Sequence, residues 1–149
     1  MITVEDILMG KGPDIIVATS TNTVLEAVKL MAEDNIGSVI IRDDDEIKGI
    51  FTERDLLSRV VAAGKDPSRT LLAEVMSSPV NACHLEDDVR KCARVLSETN
   101  TRHLAVVEEG ALVGLISLRD VQAAQARIPW PRAADGAPAN IVVPVFYEG

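Results

Sequence analysis

Apolar positions along the chain follow two alternating periods. Val24, Ala27, Val28, Leu30, Met31 and Ile36 recur at helical spacing, and Val89, Cys92, Ala93 and Leu96 do so again further on. Thr23-Val-Leu-Glu26 has the capping-box pattern that starts a helix. Two short β-branched runs follow each helix. The first pair, Ser38–Ile41 and Ile47–Thr52, is separated by the acidic turn Asp43–Glu46. The second, His103–Val107 and Leu112–Ser117, is separated by Glu108-Glu109-Gly110. Runs this close predict antiparallel hairpins. A further helix is predicted after each hairpin, over 53–63 and 118–127, with Gly64 and Pro129 as stops.

The pattern occurs twice because the chain is an internal repeat. Gly49-Ile-Phe-Thr-Glu-Arg-Asp55 and Gly114-Leu-Ile-Ser-Leu-Arg-Asp120 lie 65 residues apart, counted from Gly49 to Gly114. The same spacing pairs Val24 with Val89, Met31 with Leu96, Asn35 with Asn100 and Ile41 with Val106. Upstream, Asp6-Ile-Leu8 matches Glu74-Val-Met76 with three extra residues in the first copy, between Gly10 and Ile15. One copy has too little apolar surface to stand alone, so the two must share a core. The expected fold is α/β (α+β), two βαββα repeats packed sheet to sheet with pseudo-two-fold symmetry. Residues 1–127 form the module, with repeat one at about 4–64 and repeat two at about 72–127, and 128–149 form a Pro-containing tail.

Composition narrows the function classes. The chain has 149 residues and a formal net charge of −8, which argues against nucleic-acid binding through a basic face. Aromatic residues make up 3%, so base-stacking platforms are scarce and the core must be aliphatic. Cys83 and Cys92 lack metal-site spacing, which predicts reduced thiols and a cytoplasmic home. No apolar stretch approaches the ~20 residues of a membrane span.

The chemistry-bearing segment is strand–Thr52-x-x-Asp55–helix, repeated as strand–Ser117-x-x-Asp120–helix. Helix capping alone explains such a pattern, and Thr3-Val-Glu-Asp6 and Thr23-Val-Leu-Glu26 share it. Position adds a second possibility. A carboxylate at a strand-to-helix junction can accept the two hydroxyls of a ribose, while free N–H groups nearby favour phosphate. Capping and binding are compatible roles.

The repeats resemble a pair of cystathionine-β-synthase (CBS) domains, the tandem arrangement called a Bateman module. The marks are the two Gly-to-Asp segments above, Arg102-His-Leu-Ala-Val-Val107, and the repeated Asp6-Ile-Leu8 and Glu74-Val-Met76 openings. The resemblance implies a regulatory module binding AMP, ADP, ATP or S-adenosylmethionine, without catalytic residues, a metal or a required cofactor. It implies that each site borrows residues from the opposite repeat. One site would combine Thr52, Arg54 and Asp55 with Pro79, Asn81, Arg102 and His103. The other would combine Ser117, Arg119 and Asp120 with Lys11, Ile15, Ile16, Val17, Gly37 and Ser38. Where repeat two carries Arg102-His103, repeat one has Gly37-Ser38. The Asp55 site is therefore expected to prefer phosphorylated ligands. The Asp120 site is expected to be weaker or less charge-selective, relying on Arg119, Lys11 or backbone N–H groups.

Other positions carry less. His84 reads as a strand-edge residue, Cys92 as core and Asp43–Glu46 as a solvated turn. Ser20, Thr21 and Thr23 lack a His in sequence context. In the tail, 133–140 reads as a linker and Ile141–Tyr147 as an apolar extended segment that docks on this subunit or a partner, or stays disordered. The resemblance also implies a homodimer through the helices that follow each T/S-x-x-D strand, signalling to a regulated protein not identified by sequence. The competing function is a ligand-free dimerisation or interaction scaffold with vestigial sites.

Overall fold

The computed structural model describes residues 1–12 and 14–127. The order is α1 (Val4–Lys11), β1 (Val17–Ala18), α2 (Val24–Asp34), β2 (Ser38–Asp43) and β3 (Glu46–Thr52). Helix α3 (Glu53–Asp55) continues into a π-helical stretch, Leu56–Val61. Then come α4 (Leu72–Val75), β4 (Asn81–Cys83), α5 (Val89–Thr99), β5 (His103–Glu108), β6 (Ala111–Ser117) and α6 (Leu118–Gln125). Both expected hairpins are present. Each of the two sheets has three strands, β1-β2-β3 and β4-β5-β6, with a parallel first pair and an antiparallel second. The copies share even their irregularities: both hairpins shift register, at Ile41/Arg42 and Val106/Val107.

Helix ends are fixed by side chains that the sequence supplies. Thr23 accepts the Glu26 N–H while the Glu26 carboxylate accepts the Thr23 N–H, the reciprocal cap that its spacing predicts. At the other ends of α2 and α5, Asn35 and Asn100 take left-handed backbone (φ 54° and 51°), a conformation that Asn tolerates. Gly64 ends the helix after Asp55 with φ +71°. The tail and the expected stop at Pro129 lie outside the described residues.

The opening helices cross over between repeats. Val4, Ile7 and Leu8 of α1 are buried with Cys83, Val89, Leu104 and Ile116 of repeat two. Leu72 and Val75 of α4 are buried with Val24, Val39, Phe51 and Val60 of repeat one. Bridges between Thr3 and Asp88, and between Thr23 and Leu71, seat the helices in matching ways. A third cluster, Ile40, Ile50 and Leu115, joins the two sheets, with Ile15, Val17 and Val80 packed on it. Burying these apolar side chains at ~25 cal/mol per Å² is what holds two marginal halves together. Cys83 and Cys92 are free and buried in the repeat-two core. The Cys92 thiol beside it and burial push the Cys83 thiol up, which leaves it inert as a nucleophile.

Candidate functional site

Each T/S-x-x-D carboxylate sits at the first turn of the helix after its hairpin. The Asp55 Oδ2 accepts the Thr52 N–H at 3.0 Å and the Thr52 hydroxyl at 3.1 Å, and the Asp55 N–H returns a bond to Thr52 Oγ1. The Asp120 Oδ2 accepts the Ser117 N–H at 2.8 Å, and Ser117 Oγ accepts the Asp120 N–H at 3.1 Å. Both motifs are therefore reciprocal caps, whatever else they do.

What meets each carboxylate comes from the segment leading into the opposite repeat's first strand. Asp55 Oδ1 accepts the Ser77 hydroxyl at 2.9 Å, two residues before Pro79. Ser77 is held by paired backbone bonds with Ile50 at 2.8 and 2.9 Å. Gly49 makes that approach possible, since a Cβ there would lie 2.7 Å from the Ser77 carbonyl oxygen. Asp120 Oδ2 instead accepts Lys11 Nζ at 2.7 Å, and Lys11 also donates to the Leu115 carbonyl at 2.9 Å. Gly114 plays the part of Gly49, receiving Leu8 against its open face.

The two ends differ in what remains free. Asp55 is 6% exposed and both its oxygens are engaged, the second also 3.6 Å from Arg59 Nε. Asp120 is partly exposed, and among the described residues its Oδ1 has no hydrogen-bond donor. Burial raises the Asp120 carboxyl, but the Lys11 ammonium and the Ser117 N–H more than offset it, so the group lies below the usual carboxylate range.

Backbone pairing sets Gly37 and Ser38 beside Thr52 and Glu53, and Arg102 and His103 beside Ser117 and Leu118, so within the sheets each run adjoins the motif of its own repeat, whereas the expected sites joined it to the other. Asn81 opposes Leu104 in the parallel pair, which sets Pro79 and Asn81 beside Arg102 and His103. Val17 opposes Ile40, which sets the Ile15–Val17 run beside Gly37 and Ser38. Ile16 points into the repeat-one core, so it supports this strand rather than lining an open surface. Ser38 is buried opposite Thr52, and His103 is half-buried opposite Ser117. Burial first, then Lys11, hold the His103 imidazole below its ordinary range, while Asp120 and Asp55 both pull it upward. His103 thus lies within the field of both carboxylates. Arg54, Arg102 and Arg119 are exposed. Over Gly37 lies the Glu53 carboxyl group, whose carbon would be 3.1 Å from an added Cβ.

Ser77 and Arg59 are the contacts that sequence reasoning missed. Ser77 aligns with Met9 and Arg59 with Ala124, so comparing the copies hides both. A recess of about 560 Å³ is lined by Asp14, Ile15, Asp34 and Ile36, next to the Ile15 and Gly37 positions. A smaller one of about 160 Å³ has Lys11, Asp120 and Arg127 on its wall, between α1 and α6. No group of three or more His, Cys, Asp or Glu among the described residues could hold a metal ion. No helix among them is long and apolar enough to cross a membrane.

The comparisons with known proteins match this fold. A protein of Methanopyrus kandleri is 34% identical over 110 residues, covering 72% of this chain and 56% of that protein. The chain thus spans a little over half the length of that curated relative. A CBS-domain-containing protein of Agrobacterium tumefaciens has a solved structure with a TM-score of 0.74 and 30% identity, covering 83% of this chain and 99% of that one. A CBS domain protein of Pyrobaculum aerophilum, solved in complex with AMP, has a TM-score of 0.68 and 28% identity, covering 80% of this chain and 89% of that one. The CBS domain family model matches twice, at residues 4–62 and 72–127, and the chain belongs to that family as a tandem CBS-domain pair.

Proposed function

We propose that this chain is a non-catalytic regulatory module that binds an adenosine nucleotide between its repeats, at the Asp120 end first. The observation that carries the reading is the pair of unused polar groups there, Asp120 Oδ1 and one N–H of Lys11. A ribose diol needs an acceptor carboxylate, and charge-assisted bonds of that kind exceed neutral ones. The AMP complex of the Pyrobaculum aerophilum protein supports this choice of ligand class. Ligand binding would signal by favouring one arrangement of the repeats over another.

The test is a thermal-shift panel of AMP, ADP, ATP and S-adenosylmethionine on the wild type and Asp120→Asn. A ligand at 100 times its Kd stabilises by about 2.7 kcal/mol, and the variant should need on the order of tenfold more ligand. No stabilisation by any of the four would overturn the reading.

A scaffold role has support at the Asp55 end, whose buried carboxylate already has both oxygens engaged. We propose that a second copy covers the helix behind it. Leu57 and Val61 are 67% and 63% exposed on the π-helical stretch. Exposed Arg54 precedes them and exposed Asp66 follows, so an antiparallel copy brings opposite charges together at both ends. The matching positions of repeat two are Gln122 and Ala126, so repeat one should face repeat one.

A further inference from the structure

We infer that Lys11 makes the Asp120 end of the cleft selective for anionic ligands, because it occupies one of the two carboxylate oxygens until an anion draws it away. The inference rests on nucleotide binding at Asp120 and adds the class of ligand that can open the site. Lys11 is the last residue of α1, and that helix is fixed on repeat two. Leu8, one turn earlier, fills the space over Gly114, with its Cδ1 2.9 Å from where a Cβ would be. Gly12, at φ +91°, ends the helix and donates its N–H to the Leu8 carbonyl at 2.8 Å. The stem of Lys11 therefore starts from a set position beside β6. Its ammonium bridges Asp120 Oδ2 and the Leu115 carbonyl.

A ribose diol spans both carboxylate oxygens: one hydroxyl takes the free Asp120 Oδ1, and the other, reaching Oδ2, must displace that ammonium. A neutral nucleoside offers nothing in return, so the exchange leaves Lys11 without its counter-charge. A phosphorylated nucleoside supplies oxygens to receive the ammonium, and the exchange then conserves charge-assisted bonding. The side chains of Lys11 and Asp120 are 36% and 23% exposed, so the pair is wet enough to open rather than locked. This reading departs from the expectation that the Asp120 end is the less charge-selective one. At the other end the ligand-facing role of Lys11 falls to Ser77, which is neutral and imposes no such exchange.

The experiment is calorimetric titration of AMP and of adenosine into the wild-type chain, Lys11→Met and Lys11→Arg. The wild type should bind AMP at least about tenfold more tightly than adenosine at the Asp120 end, assigned by its loss in Asp120→Asn. Lys11→Met should lose AMP affinity while gaining adenosine affinity, and Lys11→Arg should keep the discrimination. A purely structural effect would weaken both ligands together and would overturn the inference, as would an unchanged AMP-to-adenosine ratio in Lys11→Met. If the wild type binds neither ligand, the nucleotide reading falls with it; if it binds both and Lys11→Met discriminates as before, only the inference falls.

Discussion

Replacing Asp55 by Ala should destabilise the protein more than replacing Asp120, although the two occupy equivalent positions. Asp55 is almost wholly buried and serves Thr52 and Ser77 from its two oxygens. Losing the cap to the Thr52 N–H costs about 1 kcal/mol, and losing a hydroxyl bond to a charged acceptor about 1.5–3 kcal/mol. The Arg59 contact at 3.6 Å adds little, since half of that side chain is exposed and water replaces the carboxylate. The sum is about 3 kcal/mol for Asp55→Ala. At Asp120 the same cap is lost, but the Lys11 pair is water-accessible and contributes at most about 1 kcal/mol, which gives about 1–2 kcal/mol. Urea denaturation followed by far-UV circular dichroism measures both, and the midpoints should fall in that order with unchanged slopes. Equal losses, or a loss under about 1 kcal/mol for Asp55→Ala, would refute the claim that burial and engagement of both oxygens distinguish the ends.

Three further outcomes follow from the same contacts. Gly49→Ala should cost more than Gly114→Ala, about 1–3 kcal/mol against less than about 1. The first meets the Ser77 backbone carbonyl and the second the movable tip of Leu8, and urea midpoints of the two variants check the order. His103 titrates low in the folded chain, so the unfolded chain takes up the proton first as pH falls. The stability its neutral form provides is complete above about pH 6.5 and declines below it toward the lower folded-state value. His103→Gln should flatten that slope, and denaturation midpoints between about pH 7.5 and 5 that fall equally in both proteins would contradict it. Leu57→Glu should halve the mass seen by light scattering, from twice 16.0 kDa to one chain, whereas Gln122→Glu should not. A monomeric wild type would remove the proposed second copy.

The repeat made most of the fold legible, because alternation and capping spacings are local and were written twice. Thr23-x-x-Glu26 announced its cap, and the 65-residue spacing aligned both hairpins to the residue. The crossing of α1 and α4 was not legible, since the apolar face of a short helix does not say which copy it packs on. Nor was the π-helical turn at Leu56–Val61, whose side-chain pattern still reads as ordinary helix. At the site, Asp55, Asp120 and their hydroxyl partners came directly from comparison of the copies. Ser77 and Arg59 did not, because each contact exists in one copy alone. The differences between the ends are carried by such unshared residues, and a search for similarity passes over them.

In the proposed site, Asp120 receives the ribose of an adenosine nucleotide with Lys11 beside it. Titration of AMP into the wild type and Asp120→Asn tests it most directly, with urea midpoints confirming that the variant remains folded. The wild type should bind AMP saturably and the variant on the order of tenfold more weakly. Equal affinity in the two proteins would make Asp120 only a helix cap and would contradict it.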